Sequence, residues 1–372
     1  MKTLLLYIRF VVPLCLPCLL IFFACDDDPA QPPSMQSKDT TSHNFQFTID
    51  TLGIYGNLND VFLLNDSCAY VVGWIHTKET DTPDSLGEWK TPYNVAKWDG
   101  KKWNYLRIEA TIMFGKYSVE EILSVYAFAE NDVWMISIVG SYIHWDGFNW
   151  TSRPIPEHRG LVWDMEGTSK GELYLVGSDG SITYYDGSTF QSIPCSLKVD
   201  FRSVSAGSGD KVYISGEKRD GDYGSCYAIL ENNELKSIYY SIRPYWIKED
   251  SVGGAIYCLW ASEDSVFITT HEYVWLSRNP PKPASRYDLF KYSKQFGAPV
   301  KMTGTAYNNV FIVGGYFTFW HFNGKSWKLM PFYPTDGDLS DVSAKGKLVF
   351  CGGRFRGGPL GGALIVLRGV HQ

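Results

Sequence analysis

An 18-residue stretch, Val133–Trp150, recurs in this chain and constrains its fold more than any other feature. Leu173–Phe190 and Val310–Trp327 align with it without a gap. Each copy contains an apolar segment, a short turn, a second apolar segment, an Asp-Gly or Asn-Gly turn and a final aromatic residue. Apolar segments this short, separated by turn residues, predict β-strands joined by hairpins.

The Asp-Gly or Asn-Gly turn marks each copy of the repeat. It occurs between two aromatic residues at Asp99-Gly100, Asp146-Gly147, Asp186-Gly187 and Asn323-Gly324, with a weaker copy at Asn232-Asn233. Asp-Gly and Asn-Gly supply the positive φ angles that tight hairpins require. These sites therefore predict hairpins between the outer strands of successive repeat units.

The apolar strand ahead of that turn recurs seven times. Units of roughly 40 residues with about four short strands each are typical of a β-propeller. We predict an all-β, seven-bladed β-propeller with four-stranded antiparallel blades. The last unit lacks a fourth strand, and the alternating segment Phe45–Ile49 is predicted to complete it. The seven strands start near Ala69, Val133, Leu173, Val212, Val266, Val310 and Leu348.

The composition agrees with this fold and limits the classes of partner. Aromatic residues make up 16% of the 372 residues, and 35 glycines allow many tight turns. This combination favours an all-β chain. The formal net charge is −6, whereas nucleic-acid binders usually carry a basic surface. We therefore expect no nucleic-acid partner.

The N-terminus has the pattern of a secretory signal peptide over residues 1–24. Lys2 precedes an apolar run that ends at Phe23, and Ala24 is a small residue before the expected cleavage site. The pair Ala24-Cys25 resembles the lipobox of bacterial lipoproteins, which implies a lipid on Cys25. The acidic residues 26–28 resemble the signal for display at the surface of the outer membrane. An uncleaved membrane anchor over residues 4–23 is the alternative.

The domain organisation follows from these features. Residues 25–42 are expected to be the lipidated cysteine and a flexible tether, because they are polar and rich in proline, serine and threonine. Residues 43–372 are expected to form a single propeller domain. The localisation predicted by the lipobox resemblance is the outer membrane, lipid-anchored and exposed at the cell surface.

The repeat itself also resembles a known group of proteins. The residues Asp132-Val133-Trp134 followed by His144-Trp145-Asp146-Gly147 and Trp150 are similar to repeats of secreted and surface bacterial β-propellers. That group lies near the kelch, sialidase-type and WD-repeat propellers. The resemblance implies the fold but no activity, because propellers host many functions. The Asp-box of sialidases is not matched, so no catalytic residue is inferred.

Long insertions point to a binding face. In a propeller, connections alternate between two faces, and the insertions at 75–93, 110–119, 217–224, 239–253 and 275–287 are all predicted on the face opposite the Asp-Gly turns. Loops carry function more often than strands do. We expect a glycan or protein partner there, although each aromatic could instead cap its own blade. The candidate residues are Trp74, His76, Trp89, Tyr245, Trp246 and Trp275.

Polar residues recur on the predicted inner strands that line the central channel. Such a ring could bind a cation or a polyhydroxyl ligand, or it could hydrogen-bond neighbouring blades. Two facing carboxylates could also support a glycan-active enzyme, either a glycoside hydrolase or a lyase. We favour a binding or scaffold module over an enzyme, with no cofactor and no metal motif. The candidate channel residues are Asp60, Ser124, Asp164, Ser203 and Asp341.

Five cysteines follow Cys25, and their odd number excludes a complete disulfide framework among them. Most lie inside apolar strand patterns, which favours buried free thiols. Cys68 and Cys351 fall in blades that the ring places side by side, so a disulfide between these two stays open. The remaining three are Cys195, Cys226 and Cys258.

Overall fold

The computed structural model describes residues 40–372, apart from 84, 157, 208, 219–223, 243–255, 263–264, 271–272, 279–282, 290–296, 333–335 and 358–360. The described chain forms seven four-stranded antiparallel sheets and one short hairpin. The innermost strands of successive sheets contact one another in a closed cycle. The predicted seven-bladed propeller is thereby confirmed. No helix among the described residues is long and apolar enough to cross a membrane.

Within each blade we call the strands a to d, from the channel outward. In strand order, blade 1 is Tyr55–Asn65, Cys68–His76, Tyr93–Trp98 and Trp103–Leu106; blade 2 is Ile122–Ala129, Asp132–Ser137, Ser141–Trp145 and Trp150–Pro154; blade 3 is Val162–Gly167, Leu173–Gly177, Ile182–Tyr185 and Phe190–Ser192; blade 4 is Val199–Ala206, Lys211–Lys218, Gly224–Glu231 and Glu234–Ile242.

The remaining blades follow the same order. Blade 5 is Cys258–Ala261, Ser265–Thr269, Tyr273–Arg278 and Pro283–Asp288; blade 6 is Pro299–Ala306, Asn309–Gly314, Thr318–Phe322 and Trp327–Leu329; blade 7 is Gly337–Lys345, Leu348–Phe355, Leu364–His371 and the N-terminal strand Phe45–Gly53. The extra hairpin, Glu109–Thr111 with Tyr117–Val119, lies between blades 1 and 2, and short 3-10 turns cover Met113–Gly115 and Ser178–Gly180.

The N-terminal strand closes the ring, as predicted from Phe45–Ile49. It pairs antiparallel with strand c of blade 7, from Phe45 opposite His371 to Gly53 opposite Leu364. Asp50 reinforces the seam, because its carboxylate pairs with Arg368 and accepts a hydrogen bond from the Trp103 indole at 2.8 Å. Closure gives blade 7 four strands and covers the edge of its strand c.

The two faces differ in their connections. The a–b and c–d connections are tight turns, and we call their side the short-turn face. The b–c and d–a connections form the opposite side, which we call the long-loop face. In the Asp-Gly turns only glycine has a positive φ, for example 93° at Gly147, while the Asp146 carboxylate accepts two backbone amides. Both central residues have positive φ only in the weaker copy, Asn232-Asn233.

Apolar side chains fill the space between blades. Both faces of most b and c strands are buried. The buried residues separate into seven clusters, each between two neighbouring blades. In the repeat unit Val133–Trp150, Trp145 and Trp150 pack against the cluster between blades 1 and 2. This division explains the repeat, because each blade must supply apolar residues to both neighbours.

Blade 5 departs from the predicted loop pattern. Residues 275–287 are not an insertion between strands b and c, because 275–278 belong to strand c and 283–287 to strand d. The reason is that Val274 and Leu276 are buried and pair with strand b, so the segment continues the sheet. The predicted insertion at 239–253 likewise begins inside strand d, which extends to Ile242.

The five cysteines after Cys25 are free thiols in the described structure. Cys68 packs in the cluster between blades 1 and 2, and Cys351 packs in the cluster between blades 6 and 7. The two thiols therefore lie in different interfaces. Burial raises the pKa of both thiols, which disfavours the reactive thiolate.

Candidate functional site

One position in strand a repeats around the central channel. In six blades it directly follows a β-bulge, as at Asp60, where the register shifts after Leu58. Cys258 occupies the matching register in blade 5, opposite Thr269. A bulge turns the side chain that follows it, so one residue per blade reaches the same level of the channel. The seven are Asp60, Ser124, Asp164, Ser203, Cys258, Lys301 and Asp341.

The five channel residues named from the sequence are therefore brought together, and all five are buried. Sequence reasoning missed Lys301 and Cys258. The signal for Lys301 was present, because it lies nine residues before Val310, at the spacing that leads from Ala69 to Asp60. Cys258 lies only eight residues before Val266, so the same count does not reach it.

The carboxylates of this ring tie neighbouring blades together. Asp60 accepts hydrogen bonds from the Ser124 hydroxyl at 2.7 Å and the Val125 amide at 2.8 Å. Asp341 accepts from the Val61 amide at 2.6 Å, and Asp164 accepts from the Val204 amide at 2.9 Å. These contacts join blades 1 to 2, 7 to 1 and 3 to 4. They match the structural alternative for the ring.

Buried charge in the ring is partly neutralised. Burial raises the pKa of Asp341 well above its ordinary value, and a hydrogen bond with Asp60 favours the protonated acid further. Across the channel, the Lys301 ammonium lies 2.6 Å from Asp164. Burial opposes the charge on Lys301, but the carboxylates of Asp164, Asp341 and Asp60 outweigh it and raise the pKa of Lys301.

A cavity of about 230 Å³ lies beside this ring. Its lining residues occupy the ring position or later positions of strand a, so the cavity belongs to the half of the channel nearer the short-turn face. Glu166 lines it, and burial together with the nearby Asp164 raises the pKa of Glu166 to about 8. The cavity can accept a small polar molecule. Within the described part of the chain, no group of acidic, histidine or cysteine residues has metal-binding geometry.

The channel gives the enzyme alternative little support. A glycosidase needs two carboxyl groups that face a substrate across a gap. Asp60 and Asp341 instead hydrogen-bond each other, and each also holds a backbone amide of the next blade. Asp164 is held by Lys301 and Val204. Their geometry is that of blade connectors.

On the long-loop face, the candidates of blade 1 lie at the end of strand b and in the b–c loop that follows it. Trp74 and His76 are half-buried, and the Tyr55 ring stacks on His76 with centroids 3.9 Å apart. Trp89 lies in the loop between strands b and c, and 66% of its surface is exposed. A Lys90–Glu79 ion pair of 3.1 Å ties this loop together. Trp89 is therefore an indole held out to solvent.

The other candidates for that face fare differently. Trp275 is 5% exposed and packs between blades 4 and 5, against Tyr213 and Tyr227. Its position in strand c removes it from the candidate binding face. Tyr245 and Trp246 lie outside the described residues.

A groove on the long-loop face was not anticipated from the sequence. It has a volume of about 490 Å³ and lies at the junction of blades 6, 7 and 1. Tyr316, 60% exposed, projects from the b–c connection of blade 6 with a φ of 55°. Arg354 is exposed and forms no ion pair with a described residue. We call this the blade 6–7–1 groove; its apolar lining is Leu58, Ala298, Val300 and Leu339.

The chain enters the propeller on the short-turn face. The Thr41 amide donates to the Asn323 carbonyl at 3.2 Å, and the Thr41 hydroxyl donates to the Asn308 carbonyl at 2.6 Å. Asn308 belongs to an a–b turn and Asn323 to a c–d turn. The segment ahead of the first strand is therefore attached on the side opposite the long loops.

Comparisons with known proteins support the fold. No family model and no curated protein matches the chain. Among solved structures, a Ycf48 bound to a D1 peptide matches with a TM-score of 0.61 and 13% identity, over 90% of this chain and 99% of that one. Ycf48 from Cyanidioschyzon merolae matches with a TM-score of 0.58 and 14% identity, over 86% and 98%.

The WD40 β-propeller domain of Doa1 matches with a TM-score of 0.60 and 10% identity, over 88% of this chain and 97% of that domain. At these identities the likeness concerns the fold and not the ligand. The structural match extends over nearly the full length of each neighbour. This chain therefore has a β-propeller fold similar to those of Ycf48 and the WD40 domain of Doa1.

Proposed function

We propose that this chain is a lipid-anchored binding module that holds a protein partner on its long-loop face. The observation that carries the proposal is the entry of the chain on the short-turn face, through the Thr41 contacts. A lipid on Cys25 would attach the chain through the segment that joins this face. The attachment would leave the long-loop face free for partners.

The chemistry of the long-loop face supports a protein partner. The blade 6–7–1 groove combines an apolar lining with the exposed ring of Tyr316 and the exposed side chain of Arg354, which forms no ion pair with any described residue. Tyrosine and arginine dominate binding energy at protein interfaces. A structural neighbour, Ycf48, was solved with a D1 peptide bound, so a ring of this shape can hold a peptide. The outer membrane, with the propeller exposed at the cell surface, is the proposed location.

The anchor is tested by fractionating cells that produce the full chain. Cys25→Ser removes the acceptor for lipid, so the variant should move from the membrane fraction to the soluble fraction. Mass spectrometry of the wild-type protein should identify a mature chain that lacks residues 1–24 and carries an acylated N-terminus. A wild-type chain that keeps its full length and carries no acyl group would contradict lipidation and favour an uncleaved anchor.

The binding face is tested by co-purification from the same cells. The double change Tyr316→Ser with Arg354→Glu alters the groove and leaves the strands intact. Lys101→Glu, exposed on a c–d turn of the short-turn face, is the control. A protein that co-purifies with wild type and with the control, but at least about tenfold less with the groove variant, supports the proposal. Equal recovery with all three chains contradicts it.

A glycan is the second candidate, because Trp89 presents an exposed indole. Aromatic faces suit stacking against sugar rings. A glycan array probed with the full chain tests this directly. Binding that disappears with Trp89→Ala and persists with Lys101→Glu supports a glycan ligand. An array without signal contradicts a glycan ligand.

A further inference from the structure

The extra hairpin between blades 1 and 2 has a rigid base. Asn94 is fully buried in strand c of blade 1, and its side chain spans both ends of the hairpin. The Asn94 amide nitrogen donates to the carbonyls of Ile108 and Glu120, both at 2.8 Å, and its oxygen accepts from the Ile108 amide at 2.9 Å. The two ends of the insertion are thus fixed by one side chain.

A second set of contacts fixes the hairpin to blade 2. Thr111 donates its amide to the Ser152 hydroxyl at 2.8 Å and its hydroxyl to the Ser152 carbonyl at 2.7 Å. The Ser141 hydroxyl donates to the Thr111 carbonyl at 2.5 Å. The hairpin is therefore part of the rigid scaffold up to its tip.

The tip, in contrast, displays apolar side chains to solvent. Phe114 is 93% exposed and Met113 is 77% exposed, and Tyr117 beside them is largely exposed. Phe114 has a φ of 62° and Gly115 one of 70°, and the Ile112 amide donates to the Lys116 carbonyl at 2.8 Å across the turn. A left-handed conformation is unfavourable for phenylalanine. The backbone therefore holds Phe114 outward at a cost in free energy.

An apolar tip on a fixed base is suited to docking. Burial of a phenylalanine side chain is favourable, and a preorganised loop loses little conformational freedom on binding. The surroundings carry both signs of charge, with Glu109 and Lys116 exposed near the tip. An anionic membrane surface would favour a basic patch instead. The tip also lies on the long-loop face, opposite the point where Thr41 enters the ring.

We propose that the tip of this hairpin, Met113-Phe114 with Tyr117, inserts into an apolar pocket of the partner protein. This inference rests on the proposed function and names the contact element of the same face. The proposed binding partner of the tip is an apolar pocket of a protein. A lipid surface and a second copy of this chain are the competing binding partners.

Photo-crosslinking of the full chain in cells that produce it tests the insertion. The photoreactive residue p-benzoylphenylalanine replaces Phe114 in one strain and Phe148 in another. Phe148 is the matched control, because it is 85% exposed in a c–d turn of the short-turn face. The expected result is a discrete adduct with one protein from position 114, identified by mass spectrometry, and no such adduct from position 148.

The identified protein is then purified and titrated against full-length variants. Phe114→Ser should weaken its binding by roughly tenfold to a hundredfold, and Phe148→Ser should leave it unchanged. Both substitutions lie at exposed turns, so equal thermal unfolding of the two variants confirms that folding is intact. Equal affinity of the two variants overturns the inference.

The remaining outcomes are also decisive. An adduct with phospholipid, with another copy of this chain, or with the same protein from both positions overturns the insertion model. Loss of binding by Tyr316→Ser/Arg354→Glu, with Phe114→Ser unaffected, rejects the hairpin while the proposed function stands. Absence of any protein that depends on either region rejects both.

Discussion

The Nδ1 atoms of His43 and His321 lie 2.9 Å apart where the N-terminal segment meets blade 6. The hydrogen-bond network assigns their protons. Asn309 donates its amide nitrogen to Thr305, so its oxygen accepts the Nε2 proton of His321 at 3.0 Å. The Nδ1 of His321 must then be the acceptor, and His43 the donor. A second proton on His321 would set two donors against each other.

This pair predicts that acid weakens the fold. Burial, aided by the nearby His43 and His371, lowers the pKa of His321 to about 3. The unfolded chain takes up a proton near its ordinary value of about 6.5, whereas the folded chain does not. Stability is therefore complete above that value and declines as the pH falls through it toward 3.

The expected loss from His321 between pH 7 and pH 5 is about 2 kcal/mol of unfolding free energy. Urea denaturation of the full propeller at the two pH values measures it. His321→Gln should be less stable at pH 7 but should lose less stability on acidification. An identical decline in both chains would show that His321 is not its source.

The Asp341–Asp60 contact predicts that Asn is tolerated at position 341. Burial and the contact with Asp60 raise the pKa of Asp341, so an uncharged side chain suits this position. Asn can donate a hydrogen bond to Asp60 and still accept one from the Val61 amide. Asp341→Asn should match or exceed wild-type stability at pH 7, since the amide has no ionised form whose burial would cost free energy. Asp341→Leu should cost about 3 kcal/mol, because Asp60 and the Val61 amide lose their partner. Chemical denaturation of the two variants separates these outcomes.

Asn94 should be critical for the extra hairpin. Asn94→Ala leaves the Ile108 amide and the carbonyls of Ile108 and Glu120 without their partner. We expect a loss of about 2–4 kcal/mol. Asn149→Ala, at an exposed turn position, is the control and should change stability by less than about 0.5 kcal/mol. Faster hydrogen exchange at residues 108–120 in the Asn94 variant alone would identify the hairpin as the affected region.

Ring closure predicts that folding depends sharply on where the chain starts. A chain that starts at Thr41 keeps the closing strand, and a chain that starts at Tyr55 exposes the edge of Leu364–His371. Exposed edge strands pair with other chains. The longer chain should elute as a single compact species with cooperative melting, and the shorter one should aggregate or melt without cooperativity. Equal behaviour on size-exclusion chromatography would argue that the closing strand is dispensable.

Repeat geometry made much of the fold predictable. The spacing between Ala69, Val133, Leu173 and Val212 locates strand b in successive blades, and counting nine residues back reaches the inner ring. The same count from Val310 reaches Lys301. Its ion pair with Asp164 was not predictable, because blades 3 and 6 meet across the channel and no sequence spacing encodes that distance.

Other features depend on burial that one sequence does not specify. Trp275 and Trp89 are both tryptophans near expected loops, yet one fills the space between blades 4 and 5 and the other projects into solvent. The blade 6–7–1 groove draws on three blades, so its parts are far apart in the chain. In the sequence, Phe114 cannot be distinguished from other apolar residues. The left-handed turn that exposes it is visible only in the backbone.

The seam between the first and last strands also sets how the molecule bears a load. The first strand begins on the short-turn face at Phe45 and runs to the long-loop face, with eight paired positions along Leu364–His371. A pull on the chain ahead of Thr41, resisted by a partner on the far face, acts along this strand. The pairs are then strained together in shear and do not peel open one at a time. The strand that closes the ring is thus also the link best placed to carry tension.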